Sequence, residues 1–325
     1  MYRSRPSPAY RTRSAFTLVE LLVTIAIIGV LTGLLIGGLR GAIGSARKTK
    51  EMNGLRGIHA AWYQYSSTYE EQVLPGFLDE VTQERWQVTT TNLSGAELPR
   101  SLSQTYPWRL ASFVDNPYST FVGYMEAEGA DTSANGALAA PWDGAPELPA
   151  WAQSLPALPG SLVALQPGFA YNAYYVGGWY EQGGPPRFTS AAWTTAQGAN
   201  RTGGLVATRL AGITRTTQTV IFSAATFRGV GDYRIRGSNE DLVPGCAWIV
   251  PPQLGAAAVW QPFGMTDAGI LQVLAPQGVP ARRHNGQVAV VHADGSTENA
   301  SIATLVDMRL WIDVADRVDF SHADN

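Results

Sequence analysis

One uninterrupted apolar segment constrains this chain more than any other feature of its sequence. From Leu21 to Leu39 there are nineteen consecutive residues without a charge. A helix of that length rises about 28 Å, which is close to the hydrocarbon thickness of a bilayer. Glu20 directly precedes the run, although an ionised carboxylate at the centre of a membrane helix costs roughly 2.5–3.5 kcal/mol. The segment predicts a membrane helix. The presence of the Glu20 carboxylate at its start then needs a physical explanation.

Three interpretations fit this segment, and the first two do not need the carboxylate. A secretory signal peptide would be cut at a small-residue site such as Gly44–Ala46, but the apolar run exceeds the usual length of about 7–15 residues. A permanent signal anchor would tolerate Glu20 near the helix end, where its side chain reaches the interface. Basic residues do not decide the orientation, since they occur on both sides of the segment: Arg3, Arg5, Arg11 and Arg13 before it, and Arg40, Arg47, Lys48, Lys50 and Arg56 after it.

The third interpretation, a cut between Ala15 and Phe16, gives Glu20 a reason. The carboxylate then lies on the fifth residue of a new chain whose first residue, Phe16, carries a free α-amino group. In a bundle of such helices, Glu20 of one subunit could pair with the ammonium group of a neighbour. Burial of an unpaired charge is strongly unfavourable, whereas a designated pair is permitted and also fixes the register between subunits.

The stretch SAFTLVELLVTIAIIGVLTGLLIGGL resembles the N-terminal cleavage and methylation segment of type IV pilins and type II secretion pseudopilins. That family has a short basic leader and a small residue before the cut, followed by Phe-Thr-Leu-x-Glu at the start of a long apolar helix. Phe16, Thr17, Leu18 and Glu20 match this order one for one. Ala15 stands where the family usually has glycine, and we expect processing to survive because alanine is the nearest substitute in size.

The resemblance implies a leader at residues 1–15, removed by a prepilin peptidase on the cytoplasmic side, and N-methylation of Phe16. The helix over 16–39 would cross the bacterial inner membrane once, with the head outside the cytoplasm. Inner-membrane assembly machinery would then move the subunit from the lipid into a homo- or hetero-filament with other pilin-like subunits, in the periplasm or on the cell surface. Phe16 and Glu20 are the expected assembly residues of this filament.

Glycines are frequent in the apolar helix, although each costs about 1 kcal/mol relative to alanine in a helix interior. Gly29, Gly33 and Gly37 recur every four residues, as small residues do where membrane helices pack closely. The Gly37-Gly38 pair is alternatively a weak point at which a filament helix stretches. The sequence leaves both interpretations open.

Beyond the apolar half, residues 40–72 are predicted to continue the helix in amphipathic form. Apolar and aromatic side chains recur there at steps of three and four residues, which places them on one helical face: Leu55, Ile58, Trp62, Tyr65 and Tyr69. Such a stripe indicates the face on which a globular domain packs. The helix is expected to end before Pro75.

Residues 73–325 are predicted to form one α+β head with an antiparallel sheet. Short β-rich runs separated by Gly, Pro and Asn begin at Phe169, Gln218, Cys246 and Gln287. A helix that precedes strands, without βαβ alternation, favours α+β architecture. The Pro- and Ala-rich stretch at 136–160 is interpreted as an extended surface insertion.

The end of the head contains a predicted hairpin. The run from Gln287 to His292 alternates as a strand does, and Asp294-Gly295 is a strong hairpin-turn signal. Together with His284, this dipeptide resembles a C-terminal signature of a large group of pilin-like proteins, in which a histidine is followed after nine residues by Asp-Gly. Looser resemblances to the elements before that signature occur at 106–115, 167–178 and 218–224.

The candidate metal-binding or acid–base residues of the head are His284, His292, Asp294 and Glu298. If the strand extends through residue 294, His292 and Asp294 share a face, and oxygen ligands such as Asp294 and Glu298 suit calcium. A simpler interpretation is favoured, in which these residues make local contacts, because no motif of catalytic spacing is present. We therefore expect no enzyme activity, no metal site and no cofactor, with calcium in the turn as the alternative.

Charge and cysteine content narrow the function further. A net charge of −3 does not fit a nucleic-acid-binding protein, and the single cysteine, Cys246, cannot form an internal disulfide and is expected in the core. The resemblance of the N-terminal segment implies a structural subunit of a type IV pilus-like or type II secretion pseudopilus filament. The alternative is a membrane-anchored extracytoplasmic binding module or enzyme, held by an uncleaved signal anchor.

Overall fold

The computed structural model describes residues 17–92, 94–117, 120–121, 160–165, 167–184, 205–228, 242–254, 257–258, 277–281, 283 and 286–320. The chain divides into two compact units, Met1–Lys48 and Thr49–Asn325. We call the second of these the head unit. The described part of the first unit is helical from Leu18 onward.

A single helix, α1, runs over Leu18–Thr68 and has 51 residues, in agreement with the predicted continuation of the apolar helix. It passes through Gly37-Gly38 without interruption. Glu70 and Glu71 follow it with φ of 52° and 62°, a left-handed conformation that cannot extend a right-handed helix. The helix therefore ends ahead of Pro75, as predicted.

The strands of the head unit, in chain order, are β1 Phe77–Leu78, β2 Phe169–Tyr171, β3 Trp179–Tyr180, β4 Val220–Arg228, β5 Leu242–Pro244, β6 Gln253–Leu254, β7 Ala257–Ala258, β8 Gln277–Pro280, β9 Val288–His292 and β10 Thr297–Ala300. Six of them form an antiparallel sheet in the order β10-β9-β4-β2, with β5 and β8 paired to the second half of β4. The short helices are α2 Glu80–Arg85, α3 Tyr106–Leu110, α4 Ser161–Leu165 and α5 Ile302–Leu305. The predicted α+β class is confirmed.

The head-unit part of α1 supplies one buried face to the core. Leu55, Ile58 and Trp62 are completely buried, so the predicted stripe is confirmed for its first three members. Tyr65 is partly buried. Tyr69 is 50% exposed, against the prediction, because it lies one residue past the end of the helix.

A buried hydrogen-bonded junction joins α1 to β2 and to the chain after the helix. The Trp62 indole donates to the Tyr171 hydroxyl over 3.1 Å, and this hydroxyl donates to the Leu74 carbonyl over 2.9 Å. Gly177 closes the junction with a φ of 79°, and a Cβ atom there would lie 1.9 Å from the Leu74 carbonyl oxygen. Only glycine fits a position that is both left-handed and this close to backbone.

Two of the predicted strands differ from the structure. The run from Phe169 forms only the three-residue β2, because the chain turns at Asn172, whose side-chain amide donates to the Val220 and Trp311 carbonyls. The predicted strand from Cys246 to residue 250 is wrong. Its backbone N–H groups donate to three separate segments instead of one ladder: Cys246 to Pro167, Ile249 to Tyr171 and Val250 to Gly278.

The expectation that Cys246 is a core residue is confirmed. Its side chain is buried, and a Cβ atom at Gly278 would lie 2.8 Å from its Sγ atom. Burial raises the pKa of the Cys246 thiol to about 12. The thiolate, which is the reactive form, is therefore disfavoured at neutral pH.

The predicted C-terminal hairpin is confirmed. β9 and β10 pair antiparallel, with Val291 opposite Thr297 and Val288 opposite Ala300. β9 is buried along its whole length, because it lies between β10 and β4 in the sheet. β9 ends at His292, as the alternating run predicts, so the condition under which His292 and Asp294 would share a strand face is not met.

The predicted insertion at 136–160 lies outside the described residues except for its last member, Gly160. The Gly160 carbonyl accepts a hydrogen bond from the Trp108 indole over 3.0 Å, and its φ is 85°. Ala15, Phe16 and His284, which the sequence singled out, also lie outside the described residues.

Candidate functional site

The N-terminal half of α1 presents apolar side chains along its whole length. Over Leu18–Leu35 none of the residues is buried, and the exposed fraction reaches 78% at Leu18 and 73% at Leu34. By length and composition, this segment is able to cross a membrane. An apolar surface of this extent is stable against lipid or against other apolar helices, and not against water.

Glu20 caps the N terminus of its own helix. Its Oε2 atom accepts hydrogen bonds from the backbone N–H and from the hydroxyl of Thr17, both at 2.8 Å, while the Thr17 hydroxyl oxygen accepts the backbone N–H of Glu20 at 3.2 Å. This reciprocal arrangement is a capping box, which satisfies N–H groups that a helix leaves unpaired in its first turn. The Thr-x-x-Glu spacing of residues 17–20 carries this signal in the sequence, although the apolar run alone does not reveal it.

The capping box uses only one oxygen of the carboxylate. Both bonds from Thr17 end at Oε2 of Glu20, so Oε1 is the atom that could accept an ammonium hydrogen from a second subunit. Local capping and pairing between subunits are therefore compatible roles for one side chain. The processing roles of Ala15 and Phe16 stay predictions.

A family model of the prokaryotic N-terminal methylation motif matches residues 10–36. The chain therefore carries a pilin-type N-terminal segment. The match includes the predicted cut between Ala15 and Phe16, the capping glutamate and the exposed apolar half of α1. No curated protein and no solved structure matches the chain. The C-terminal signature of His284, Asp294 and Gly295 lies outside the matched residues and stays a prediction.

The apolar half of α1 leaves parts of its backbone open to close approach. A Cβ atom at Gly29 or Gly33 would meet no other atom within 4 Å. Small residues of this kind let the backbones of neighbouring membrane helices come together. Close packing at these glycines and stretching at Gly37-Gly38 both stay predictions for an assembled filament.

In the head unit, the predicted hairpin turn packs against α1. The Oδ1 atom of Asp294 accepts hydrogen bonds from the backbone N–H and hydroxyl of Ser296, at 2.9 Å and 2.6 Å. Gly295 follows with a φ of 85°, and a Cβ atom there would lie 3.1 Å from the His59 imidazole. The Asp-Gly pair thus shapes the turn and also leaves room for the helix.

His59 lies partly buried between α1 and the same turn. Its Nε2 atom is 3.0 Å from the Ala293 carbonyl oxygen, and its ring centroid is 5.6 Å from that of Trp62. Burial lowers the pKa of His59; the bond to Ala293 and the charge of Asp294 oppose this shift, and the net direction is down. The folded head unit therefore favours the neutral imidazole.

We expect the head unit to lose stability as the pH falls from about 7.5 to about 5. Below the usual histidine pKa of about 6.5, the unfolded chain takes up a proton that folded His59 resists, so the free energy of unfolding decreases. Burial raises the pKa of Asp294, but the hydrogen bonds from Ser296 outweigh it, and the net direction is down. Asp294 therefore changes the free energy of unfolding only below about pH 4. Urea titration of the full chain in detergent measures the midpoint at each pH.

The control for this prediction is His59→Gln, whose side-chain amide can still donate to the Ala293 carbonyl but does not titrate. Its urea midpoint should fall less than that of the parent protein over the same pH range. Equal decreases in the two proteins would show that His59 does not cause the pH dependence.

His292 and Glu298, candidate metal-binding residues, instead contact each other and the backbone. His292 Nε2 lies 3.3 Å from Oε1 of Glu298, and its Nδ1 lies 2.8 Å from the Gln218 carbonyl oxygen. Asp294 is engaged by Ser296. Within the described ranges, no group of three or more His, Cys, Asp or Glu residues could hold a metal ion. The expectation of no metal and no cofactor, with calcium at Asp294 and Glu298 as the alternative, stays a prediction.

Arg109 is a buried charged residue within the 106–115 stretch that the sequence marked only by a loose resemblance. Its guanidinium donates to three backbone carbonyls, those of Gly76 at 3.1 Å, Gln104 at 3.3 Å and Thr105 at 3.3 Å. Burial lowers the pKa of Arg109 to about 10. Arg109 therefore connects the loop at Gly76 to the loop at Gln104 and Thr105. This structural role cannot be predicted from a local sequence pattern.

An ion pair inside the head unit docks α1 onto the sheet. The Glu51 carboxylate lies 2.5 Å from Nη1 of Arg283, and the exposed side-chain fractions are only 5% and 15%. Arg283 also donates through Nη2 to the Ala225 carbonyl of β4 over 3.0 Å. Glu51 is thus a docking residue of the helix, and its partner could not be predicted from the sequence.

Proposed function

We propose that this chain is a structural subunit of a type IV pilus-like or type II secretion pseudopilus filament. The observation that carries the proposal is the fully exposed apolar half of α1, which begins within the methylation motif at residues 10–36. A prepilin peptidase removes residues 1–15, Phe16 is N-methylated, and the subunit rests in the inner membrane before assembly. The head unit then faces the extracytoplasmic side and performs no catalysis.

Assembly exchanges lipid for neighbouring helices around the apolar half of α1. Lipid chains and apolar side chains solvate this surface about equally well, so close packing and polar pairing must distinguish the filament from the membrane. Gly29 and Gly33 supply the open backbone for close packing. Glu20 supplies the polar pair, with Oε2 held by its own capping box and Oε1 directed to the Phe16 ammonium of a neighbour.

The pairing is favourable in the filament because both charges lose water there together. A lone carboxylate in a low-dielectric bundle is strongly destabilising, whereas a pair in good geometry recovers most of the cost. The pair forms only after cleavage, since Phe16 has no free amino group in the uncut chain. Processing and assembly are thereby coupled through one contact.

Mass spectrometry of the protein from its native cell envelope tests the proposal. We expect an intact chain that begins at Phe16 with one added methyl group on its amino terminus. A chain that begins at Met1 would contradict the proposal and leave a membrane-anchored binding module or enzyme. The control is Ala15→Leu, which replaces the small residue before the cut by a bulky one and should yield the uncut chain.

A further inference from the structure

The part of α1 that follows its apolar half contains basic residues but no acidic residue before Glu51. Between Glu20 and Glu51 the sequence contains no Asp or Glu. The basic residues in this interval are Arg40, Arg47, Lys48 and Lys50. Arg47 and Lys48 are exposed at the end of the first unit. We call these two residues the basic collar.

The segment before the basic collar is narrow. Residues 41–46 read Gly-Ala-Ile-Gly-Ser-Ala and are all exposed, and a Cβ atom at Gly41 or Gly44 would meet no other atom within 4 Å. Large groups can therefore approach the helix between its apolar half and the collar. The side chains of Arg47 and Lys48 are long enough to reach back along such a segment.

The basic collar lies beyond the polar layer of a membrane but within the electrostatic reach of its surface. At 1.5 Å per residue, Arg47 lies about 12 Å beyond Leu39, the last residue of the uncharged run. The headgroup layer on one side of a bilayer is about 5–7 Å thick, and the field of a charged surface extends a further 8 Å or so at physiological salt. When the apolar half spans the hydrocarbon, the collar lies within this field.

We propose that the basic collar binds the anionic headgroups of phospholipids while the subunit waits in the membrane. The partner is a lipid because the cationic site follows an apolar span, and an anionic phospholipid offers acyl chains for that span and a phosphate toward which the long Arg47 and Lys48 side chains can reach back. This inference rests on the membrane-inserted stage of the proposed function. A subunit that leaves the membrane must exchange these headgroup contacts for others, so the collar retains it until assembly.

The expected effect follows from the charge of the two residues. Each Lys or Arg near an anionic surface strengthens association about fivefold, so the two together should enrich anionic lipid about 25-fold at low salt. The enrichment should decrease as salt is added, because the screening length becomes shorter.

Lipid retention by the full-length protein tests this proposal. The protein is reconstituted into vesicles of phosphatidylcholine and phosphatidylglycerol, extracted with its bound lipid, and the ratio of the two retained lipids is measured by mass spectrometry. Phosphatidylglycerol should be enriched on the parent protein and lose most of its enrichment on the variant Arg47→Gln/Lys48→Gln. The matched control Arg56→Gln/Arg100→Gln removes the same charge from the head unit and should retain the enrichment.

Three outcomes would overturn the proposal. Equal lipid ratios on the parent and on the collar variant would show that Arg47 and Lys48 do not select anionic lipid. Equal losses in the collar variant and the control would indicate an effect of net charge alone. Displacement of phosphatidylglycerol by millimolar inorganic phosphate would assign the collar to free anions. Failure of the protein to enter vesicles of either composition would instead contradict the membrane stage of the proposed function.

Discussion

Glu20→Ala should abolish filament assembly and leave the protein inserted in the membrane. The substitution removes the carboxylate that we propose pairs with the Phe16 ammonium of a neighbouring subunit, and breaking one side of a buried pair costs about 3–5 kcal/mol. Such a loss weakens the association of subunits roughly 100- to 1,000-fold or more. Insertion should survive, because the apolar run from Leu21 to Leu39 is unchanged. Sheared filaments and the membrane fraction are compared by immunoblot and electron microscopy.

Two further variants separate pairing from capping. Glu20→Gln keeps a capping box, since glutamine can accept the Thr17 bonds, but it removes the charge and should fail to assemble as alanine does. Thr17→Ala removes the hydroxyl of the box, keeps the carboxylate and should assemble nearly normally. Normal filaments from Glu20→Gln would contradict the proposed ion pair between Glu20 and Phe16. Glu20 would then have only its local role in capping the helix.

Glu51→Ala should reduce the free energy of unfolding of the head unit by about 3–5 kcal/mol, because it leaves the Arg283 guanidinium buried without its carboxylate. The estimate applies to a largely buried pair, and the exposed fractions of 5% and 15% meet that condition. Urea unfolding of the full chain in detergent, followed by near-ultraviolet circular dichroism, reports on the packed tryptophans of the head.

The double variant Glu51→Leu/Arg283→Met is the first control for this prediction. It replaces both charges by apolar side chains of similar size and should recover most of the lost stability. The second control is Arg317→Ala. Arg317 and Asp319 form a 3.4 Å ion pair whose side chains are 48% and 77% exposed. Because surface ion pairs contribute about 0–1 kcal/mol, this variant should lose little stability. A Glu51→Ala loss no larger than that of Arg317→Ala would contradict the docking role.

Local signals in the sequence predict much of this fold. The apolar run and the stripe through Leu55 and Trp62 predict α1, because helical periodicity is a property of neighbouring residues. Asp294-Gly295 predicts the C-terminal hairpin for a similar reason, since the turn depends on the conformations that these two residues adopt. The same local chemistry contains the Thr17–Glu20 capping box, which emerges only when the spacing is compared with helix starts.

The features that escaped prediction depend on partners distant in the chain. Glu51 and Arg283 are separated by 232 residues, and neither has a neighbour in sequence that points to the other. Asn172 interrupts a run of good strand formers because its amide serves the Val220 and Trp311 carbonyls. Tertiary contacts of this kind override local preference. The hydrogen bond from Arg109 to the Gly76 carbonyl is a further example.

The burial of Cys246 has a practical consequence for experiments on assembly. It is the only cysteine in the chain, it is enclosed in the core, and its raised pKa of about 12 keeps it as an unreactive thiol. The natural sequence therefore already behaves as a cysteine-free background for maleimide labelling and oxidative cross-linking. New cysteines placed at exposed positions, such as those flanking the basic collar, would report contacts between subunits without interference from the native one.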